Sequence, residues 1–93
     1  MHDEDIVLIE YVKLSVNRTK VFKALKNDAL KPTDIAEITD VHINTVSRSL
    51  KQLKEKNLVY LLNPKEKRGR LYKLTDKGKL ISKELLKQEK QKN

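Results

Sequence analysis

Residues 43–56 carry polar side chains whose types and spacing suit hydrogen bonding to a nucleic acid. The apolar residues of this segment recur at i, i+3, i+7 and i+10, a spacing that predicts a helix. The predicted core stripe consists of Ile43, Val46, Leu50 and Leu53. With about 100° between successive residues, Arg48 lies almost opposite this stripe. The residues that flank Arg48 on the solvent side are also polar or basic: Asn44, Thr45, Lys51 and Gln52.

The chemistry of this polar face is that of base recognition. Arginine pairs bidentately with guanine, asparagine pairs with adenine, and the threonine methyl group contacts thymine. When a helix enters the major groove through its N-terminal part, Asn44, Thr45 and Arg48 are placed nearest the base edges. Contacts with the phosphate backbone are predicted for His42, Ser47, Lys51 and Gln52. An ordinary solvated helix face is the alternative interpretation.

A second basic segment lies between two stretches of strand character, 58–62 and 70–74. From Lys65 to Lys73 there are five basic residues and one acidic residue. The tip of the predicted hairpin is 65–69, where Gly69 supplies a positive φ. Arg68 and Arg70 are predicted to enter a minor groove, with Lys65 and Lys67 following the phosphates. Alternatively, these charges only protect the hairpin edge from aggregation.

The net charge of +8 is unevenly distributed over the 93 residues. Residues 1–40 carry six basic and eight acidic side chains, a net charge of −2, whereas residues 41–93 carry fifteen and five, a net charge of +10. This asymmetry favours a polyanion-binding face in the C-terminal half. A lysine-rich surface that only keeps the protein soluble is the competing interpretation.

Composition excludes several classes of protein. A chain of this length forms one small domain, without the two lobes of a larger enzyme. No apolar run approaches the roughly 18–20 residues that a membrane-spanning helix needs. The acidic start at 2–5 does not resemble a signal peptide. The absence of cysteine excludes disulfides and thiolate metal sites, and agrees with a cytoplasmic protein.

The remaining elements are predicted from apolar spacing and capping residues. Asn17 is expected to cap a helix that extends to about Asn27, and Thr33 to open a short helix that ends before a turn at 39–40. Thr75 is expected to cap a final helix that reaches about Gln88 or beyond, with a frayed tail at 88–93. The fold class is therefore mainly α with a small β-hairpin.

Several apolar residues exceed what one small core can absorb. The segment 6–14 is apolar on all sides when drawn as a helix, which is typical of a helix buried on more than one face. A strand is the alternative interpretation, although the apolar residues do not alternate with polar ones. On the last predicted helix, Leu80 and Leu86 fall outside the core stripe. We predict a homodimer with contacts through Ile6, Ile9, Leu80 and Leu86.

Three segments in order resemble small prokaryotic winged helix-turn-helix regulators of the ArsR/MarR-like group, including its compact archaeal members. They are Thr33–Ala36, Thr45–Lys56 and Leu71–Gly78, and the resemblance covers roughly 17–80. Asp40 and Asn57 stand where this group usually has glycine; both residue types tolerate the left-handed region. The resemblance implies one winged-helix DNA-binding domain over 1–93: an N-terminal dimer segment at 1–16, the helix-turn-helix and wing at 17–75, and a C-terminal helix and tail at 76–93.

Sequence-specific regulation of transcription on double-stranded DNA is the function that this resemblance implies, with helix 43–56 in the major groove and wing 63–70 on the minor groove or backbone. A non-specific architectural DNA-binding protein and a winged-helix protein-interaction module are the alternatives. An enzyme is not expected, since the only glycines, Gly69 and Gly78, provide no phosphate-binding loop. No metal site is expected, because His2 and His42 stand alone and no cysteine is present. Neither a cofactor nor a membrane is expected as a partner.

Overall fold

The computed structural model describes residues 2–90, in which five helices and a two-stranded sheet follow one another. The helices are α1 (Asp3–Lys13), α2 (Val16–Ala24), α3 (Pro32–Thr39), α4 (Ile43–Glu55) and α5 (Asp76–Lys90). The strands are β1 (Val59–Leu61) and β2 (Tyr72–Leu74), paired antiparallel. The prediction of a mainly α fold with one β-hairpin is confirmed. Helix α5 extends through Lys90, and the rest of the predicted tail, 91–93, lies outside the described residues.

Helix α2 begins earlier than predicted because Ser15, not Asn17, is its N-cap. The Ser15 hydroxyl accepts a hydrogen bond from the backbone N–H of Arg18 at 3.2 Å, while the Ser15 backbone is extended. Such a cap satisfies one of the four N–H groups that have no partner inside the helix. The helix also ends earlier, at Ala24 instead of about Asn27.

The turns on either side of α4 have the left-handed backbone that the sequence predicts. Asp40, between α3 and α4, has φ 57°, and Asn57, after α4, has φ 59°. At the second turn the Leu58 N–H donates to the Leu53 carbonyl at 3.0 Å, which closes the helix C-terminus. The fold therefore accepts Asp40 and Asn57 at these positions. Helix α3 begins at Pro32, one residue before the predicted start, since proline is well suited to a first helical position.

The hairpin has shorter strands than predicted and a longer connection. Val59 pairs with Leu74 and Leu61 with Tyr72, and the connection of ten residues is held at its base by the Asn63 side chain. The Asn63 amide donates to the Gly69 carbonyl at 3.1 Å and accepts from the Leu71 N–H at 2.7 Å. Gly69 has φ 63°, as predicted. The Asn63 side chain thus supplements the backbone hydrogen bond from the Leu62 N–H to the Leu71 carbonyl, 2.7 Å long, at the base of the connection.

The core lies between the five helices and the base of the hairpin. Its largest fully buried side chains include Phe22, Leu25, Leu50, Leu58 and Ile81. Thr75 caps α5 as predicted, since its hydroxyl accepts from the Gly78 N–H at 2.9 Å. Gly78 itself packs directly against Leu58: an added Cβ would lie 2.0 Å from the Leu58 carbonyl oxygen. Helix α5 therefore lies against the backbone of the hairpin.

Candidate nucleic-acid interface

The buried face of α4 differs from the predicted stripe at one edge. Val46, Leu50 and Leu53 are buried as predicted, but Ser49 is also buried, whereas Ile43 is 36% exposed. At about 100° per residue, replacing Ile43 by Ser49 turns the mean direction of the buried face by roughly 30° around the helix. The prediction that Ile43 belongs to the core stripe is wrong. It failed because the spacing of apolar residues defines only the width of the apolar face of a helix. The helices and strands packed against that face decide which of its edges is buried.

The solvent face of α4 turns with its core face. Its centre now lies between Asn44 and Arg48, and Lys51 stands beside them; all three side chains are exposed. Ser47 is also exposed, and Thr45 is half-buried at the opposite edge. Among residues 2–90, neither Arg48 nor Lys51 forms an ion pair. Two cations and an amide therefore remain available to a ligand.

His42 begins α4 as its N-cap. Its Nδ1 accepts a hydrogen bond from the Asn44 backbone N–H at 3.1 Å. An imidazole that accepts through Nδ1 carries its proton on Nε2 in the neutral form. The exposed Nε2–H of His42 is thus a donor beside the N-terminus of α4, where backbone N–H groups also favour an anion.

The side chain of Gln52, which is predicted to contact the DNA backbone, forms a hydrogen bond with Arg18 of α2. Its Oε1 accepts from Arg18 Nη1 at 3.0 Å, and its side chain is half-buried. Because a phosphate only accepts hydrogen bonds, the group of Gln52 that would contact one is its side-chain NH2, and that contact stays a prediction. The arrangement leaves Gln52 as part of the support of α4.

Arg18 is the structural residue that sequence reasoning missed. It is 7% exposed, and its Nε and Nη2 both donate to the Tyr11 carbonyl in the last turn of α1. Its guanidinium carbon also lies 4.0 Å from the centre of the Tyr11 ring, a cation–π contact. Arg18 therefore joins the end of α1 to α4 through Gln52. The available signal was its spacing of three and four residues from Val21 and Phe22, which places it on the buried face of α2.

The hairpin tip presents its basic side chains to solvent. Lys65, Lys67, Arg68 and Arg70 are all exposed, and none of them forms an ion pair within 2–90. The tip therefore carries an excess of positive charge, four cations against the single carboxylate of Glu66.

Helix α1 is attached to α5 by a buried carboxylate. Asp5, 3% exposed, accepts a hydrogen bond from Lys77 Nζ at 2.7 Å. That hydrogen bond lowers the pKa of Asp5, against the opposing effect of burial, and it raises the pKa of Lys77. An ion pair here favours the charged forms of both groups and holds the two helices together.

The four predicted dimer residues have different environments. Ile9 is 1% exposed and belongs to the core of its own chain, so the prediction that it contacts a partner is wrong. Ile6 is 48% and Leu80 46% exposed, and Leu86 is half-buried. Helix α1 adds another exposed apolar side chain, Val7. Leu80 and Leu86 line a groove of about 600 Å³ that also contains lysines 26, 79, 83, 87 and 90 and one acidic residue, Glu84.

Within residues 2–90, no helix is long and apolar enough to cross a membrane. The same residues hold no cluster of three or more histidine or acidic side chains suited to a metal ion.

This order of helices, turn and hairpin is the winged helix-turn-helix fold. The structure resembles the reduced form of MarR from E. coli, with 29% identity, a TM-score of 0.74 and coverage of 96% of this chain and 69% of that one. It also resembles the homodimeric winged helix-turn-helix DNA-binding domain of Mb0332 from Mycobacterium bovis, a possible ArsR-family transcriptional regulator, with 18% identity, a TM-score of 0.75 and coverage of 96% and 82%. A MarR-family regulator from Silicibacter pomeroyi, SPO1453, matches with 18% identity, a TM-score of 0.71 and coverage of 95% and 65%.

The chain belongs to the family described as the HVO_A0261 N-terminal domain, whose model matches residues 7–91. It spans 60–69% of the length of the MarR-type chains that it resembles. No curated protein matches it by sequence.

Proposed function

We propose that this chain is a sequence-specific DNA-binding regulator of transcription that acts as a homodimer. The observation that carries the proposal is the solvent face of α4, where Asn44, Arg48 and Lys51 stand exposed and without carboxylate partners among residues 2–90. Helix α4 is the second helix of a helix-turn-helix, the element that enters the major groove in proteins of this fold. The Multiple Antibiotic Resistance Repressor MarR and the Mb0332 domain, a possible ArsR-family transcriptional regulator, share the fold and support a regulatory role.

Base recognition is assigned to the N-terminal half of α4. Arg48 donates two hydrogen bonds to one guanine, and Asn44 pairs with adenine in the same groove. Thr45, half-buried, reaches a base only through the edge of this face. His42 through Nε2, Ser47 and Lys51 contact phosphates and set the register of the helix.

The basic hairpin tip is the second contact in this proposal. Arg68 and Arg70 lie on either side of Gly69, whose left-handed backbone turns the chain at that point. Arginines at such a tip enter a narrow minor groove or bind the backbone, while Lys65 and Lys67 neutralise phosphates. These four cations contribute affinity and salt dependence more than sequence preference.

Dimerisation is assigned mainly to α1. Ile6 and Val7 are exposed apolar residues on a helix whose opposite face is already buried. The groove around Leu80 and Leu86 is less suited to a two-fold contact, because its five lysines would face those of the second copy. Light scattering at micromolar concentration tests the dimer: a mass near the 10.9 kDa of one chain refutes it. An Ile6→Asp variant is expected to shift a dimer toward monomer.

The proposal implies a protein without enzymatic activity that resides in the cytoplasm with the DNA. The similar structures whose names state a function are a repressor and several proteins described as transcriptional regulators or as a possible one. A protein-interaction module is disfavoured. Such modules carry apolar residues on the face that corresponds to the solvent face of α4, whereas this chain has polar and basic residues there.

The central experiment measures the affinity of the Arg48→Ala variant for a duplex that the wild-type protein has selected from a random pool. Loss of the bidentate contact is expected to cost about 1–3 kcal/mol and to relax the preference at one base pair. Lys54→Ala is the matched control, since it removes one charge from the exposed C-terminal turn of the same helix. Equal weakening of Arg48→Ala on every sequence would make Arg48 a phosphate contact.

An architectural DNA-binding protein is the second candidate, favoured by the lysine excess of the C-terminal half. Selected and scrambled duplexes are titrated across a range of salt concentrations to separate the two functions. The regulator binds the selected duplex more tightly at every concentration. Identical affinities and identical salt slopes would instead establish non-specific binding and overturn sequence specificity.

A further inference from the structure

Ile43 is an apolar side chain that the core does not use. It is the first residue of α4 and is 36% exposed, whereas Val46, Leu50 and Leu53 are all at most 1% exposed. Buried Ser49 extends the buried face of α4 at the edge opposite Ile43. A β-branched apolar residue therefore stands at the start of the helix, partly open to solvent and beside exposed Asn44.

The position of Ile43 places it in the proposed interface. The N-terminal residues of the second helix of a helix-turn-helix lie closest to base edges. Around the helix, Ile43 and exposed Ser47 share the same edge of the solvent face, about 40° apart. A ligand that contacts Ser47 thus lies next to Ile43, at the edge of the solvent face.

The major groove offers one apolar group to such a side chain, the 5-methyl group of thymine. We infer that Ile43 is a specificity-determining residue that selects thymine at one position of the binding site by contact with this methyl group. The inference rests on the proposed function. It assigns to Ile43 the apolar part of base recognition, beside the hydrogen bonds assigned to Asn44 and Arg48.

The first measurement removes the methyl group and leaves the protein unchanged. Each thymine of the duplex selected by the wild-type protein is replaced in turn by uracil, which differs only in lacking that methyl. At the position read by Ile43, wild-type affinity is expected to fall about fourfold, the change that corresponds to burying one methyl-sized group. Uracil at positions outside the α4 contact is expected to change the affinity less than twofold.

The second measurement repeats the replacement of thymine by uracil with the Ile43→Ala variant of the protein. This variant is compatible with a helix because alanine has the highest helix propensity. This variant is expected to bind the thymine and uracil duplexes equally at the sensitive position. The control Ile38→Ala, which removes a 63% exposed isoleucine from α3, retains the fourfold preference there. Thr45→Ser tests whether the methyl group of Thr45, and not Ile43, makes the contact with thymine. Thermal unfolding of each variant verifies that it is folded.

The outcomes separate this inference from the proposed function. If the wild-type protein enriches no sequence, both are overturned. If it enriches a sequence without thymine, or one in which no uracil substitution weakens binding, the inference alone is overturned. It is also overturned if Ile43→Ala keeps the thymine preference or if Thr45→Ser removes it.

Discussion

Substituting alanine for Gly78 tests how closely α5 packs against the hairpin. At an open helical position, replacing glycine by alanine stabilises a protein by roughly 0.5–1 kcal/mol. Here the new Cβ would lie 2.0 Å from the Leu58 carbonyl oxygen, 3.0 Å from its carbonyl carbon and 3.3 Å from the Leu74 Cβ. The first of these atoms belongs to the backbone, so no side-chain rotation relieves the contact.

The loss of stability in Gly78→Ala follows from the displacement that α5 must undergo. The Cβ and the Leu58 oxygen must separate by about 1 Å or more before the contact is tolerable. That movement also strains the hydrogen bond from the Thr75 N–H to the same oxygen, 3.1 Å long in the structure. We expect a net loss of about 2–4 kcal/mol, overpacking outweighing the gain in helix propensity. For a domain of this size the loss lowers the Tm by at least about 10 °C.

The assay is urea denaturation followed by far-ultraviolet circular dichroism. Gly78→Ala is expected to lower the transition midpoint while leaving the m-value unchanged. Lys83→Ala, on the exposed face of the same helix, is the control and should change stability by less than about 0.5 kcal/mol. A Gly78→Ala protein as stable as the wild type, or more stable, would refute the close approach of α5 to Leu58.

Three further predictions concern the residues that join the elements. The hydrogen bond from Lys77 lowers the pKa of Asp5 below its ordinary 3.8. The pair therefore stabilises the fold at neutral pH, and this stabilisation is lost as the pH falls and the carboxyl group becomes protonated. Asp5→Asn should therefore be less stable than the wild type at pH 7, and the difference should shrink on acidification; a constant difference down to pH 2 would contradict this. Arg18→Met should lower the unfolding free energy by about 1–3 kcal/mol, because the Tyr11 carbonyl loses its donor, and calorimetry showing no change would exclude that role. Asn57→Ala should lose about 1 kcal/mol in denaturation experiments because of the left-handed backbone at φ 59°, whereas Asn57→Gly should lose little; equal losses would contradict the conformational explanation.

Much of the candidate interface follows from local sequence. Exposed Asn44, Arg48 and Lys51 were predicted from periodicity because they lie far from any apolar residue around the helix, so a rotation of about 30° leaves them in solvent. The hairpin tip was predicted from its charges and Gly69, which depend on no distant contact. The residues at the edges of α4 were not predictable in this way. Ile43 and Gln52 lie where a small rotation decides between core and surface.

Charge distribution, apolar periodicity and turn residues determine the order of elements in this protein, the polar face of α4 and the left-handed turns at Asp40 and Asn57. These features depend on interactions between residues that are close in sequence, and local sequence patterns therefore predict them. Only the tertiary structure decides that Ile9 belongs to its own core and that Arg18 holds Gln52. Each of these outcomes depends on which distant element covers a given side chain, since a helical period defines faces but not their neighbours. The same physical reason brings Ile43 out of the core and to the edge of the face proposed to bind DNA.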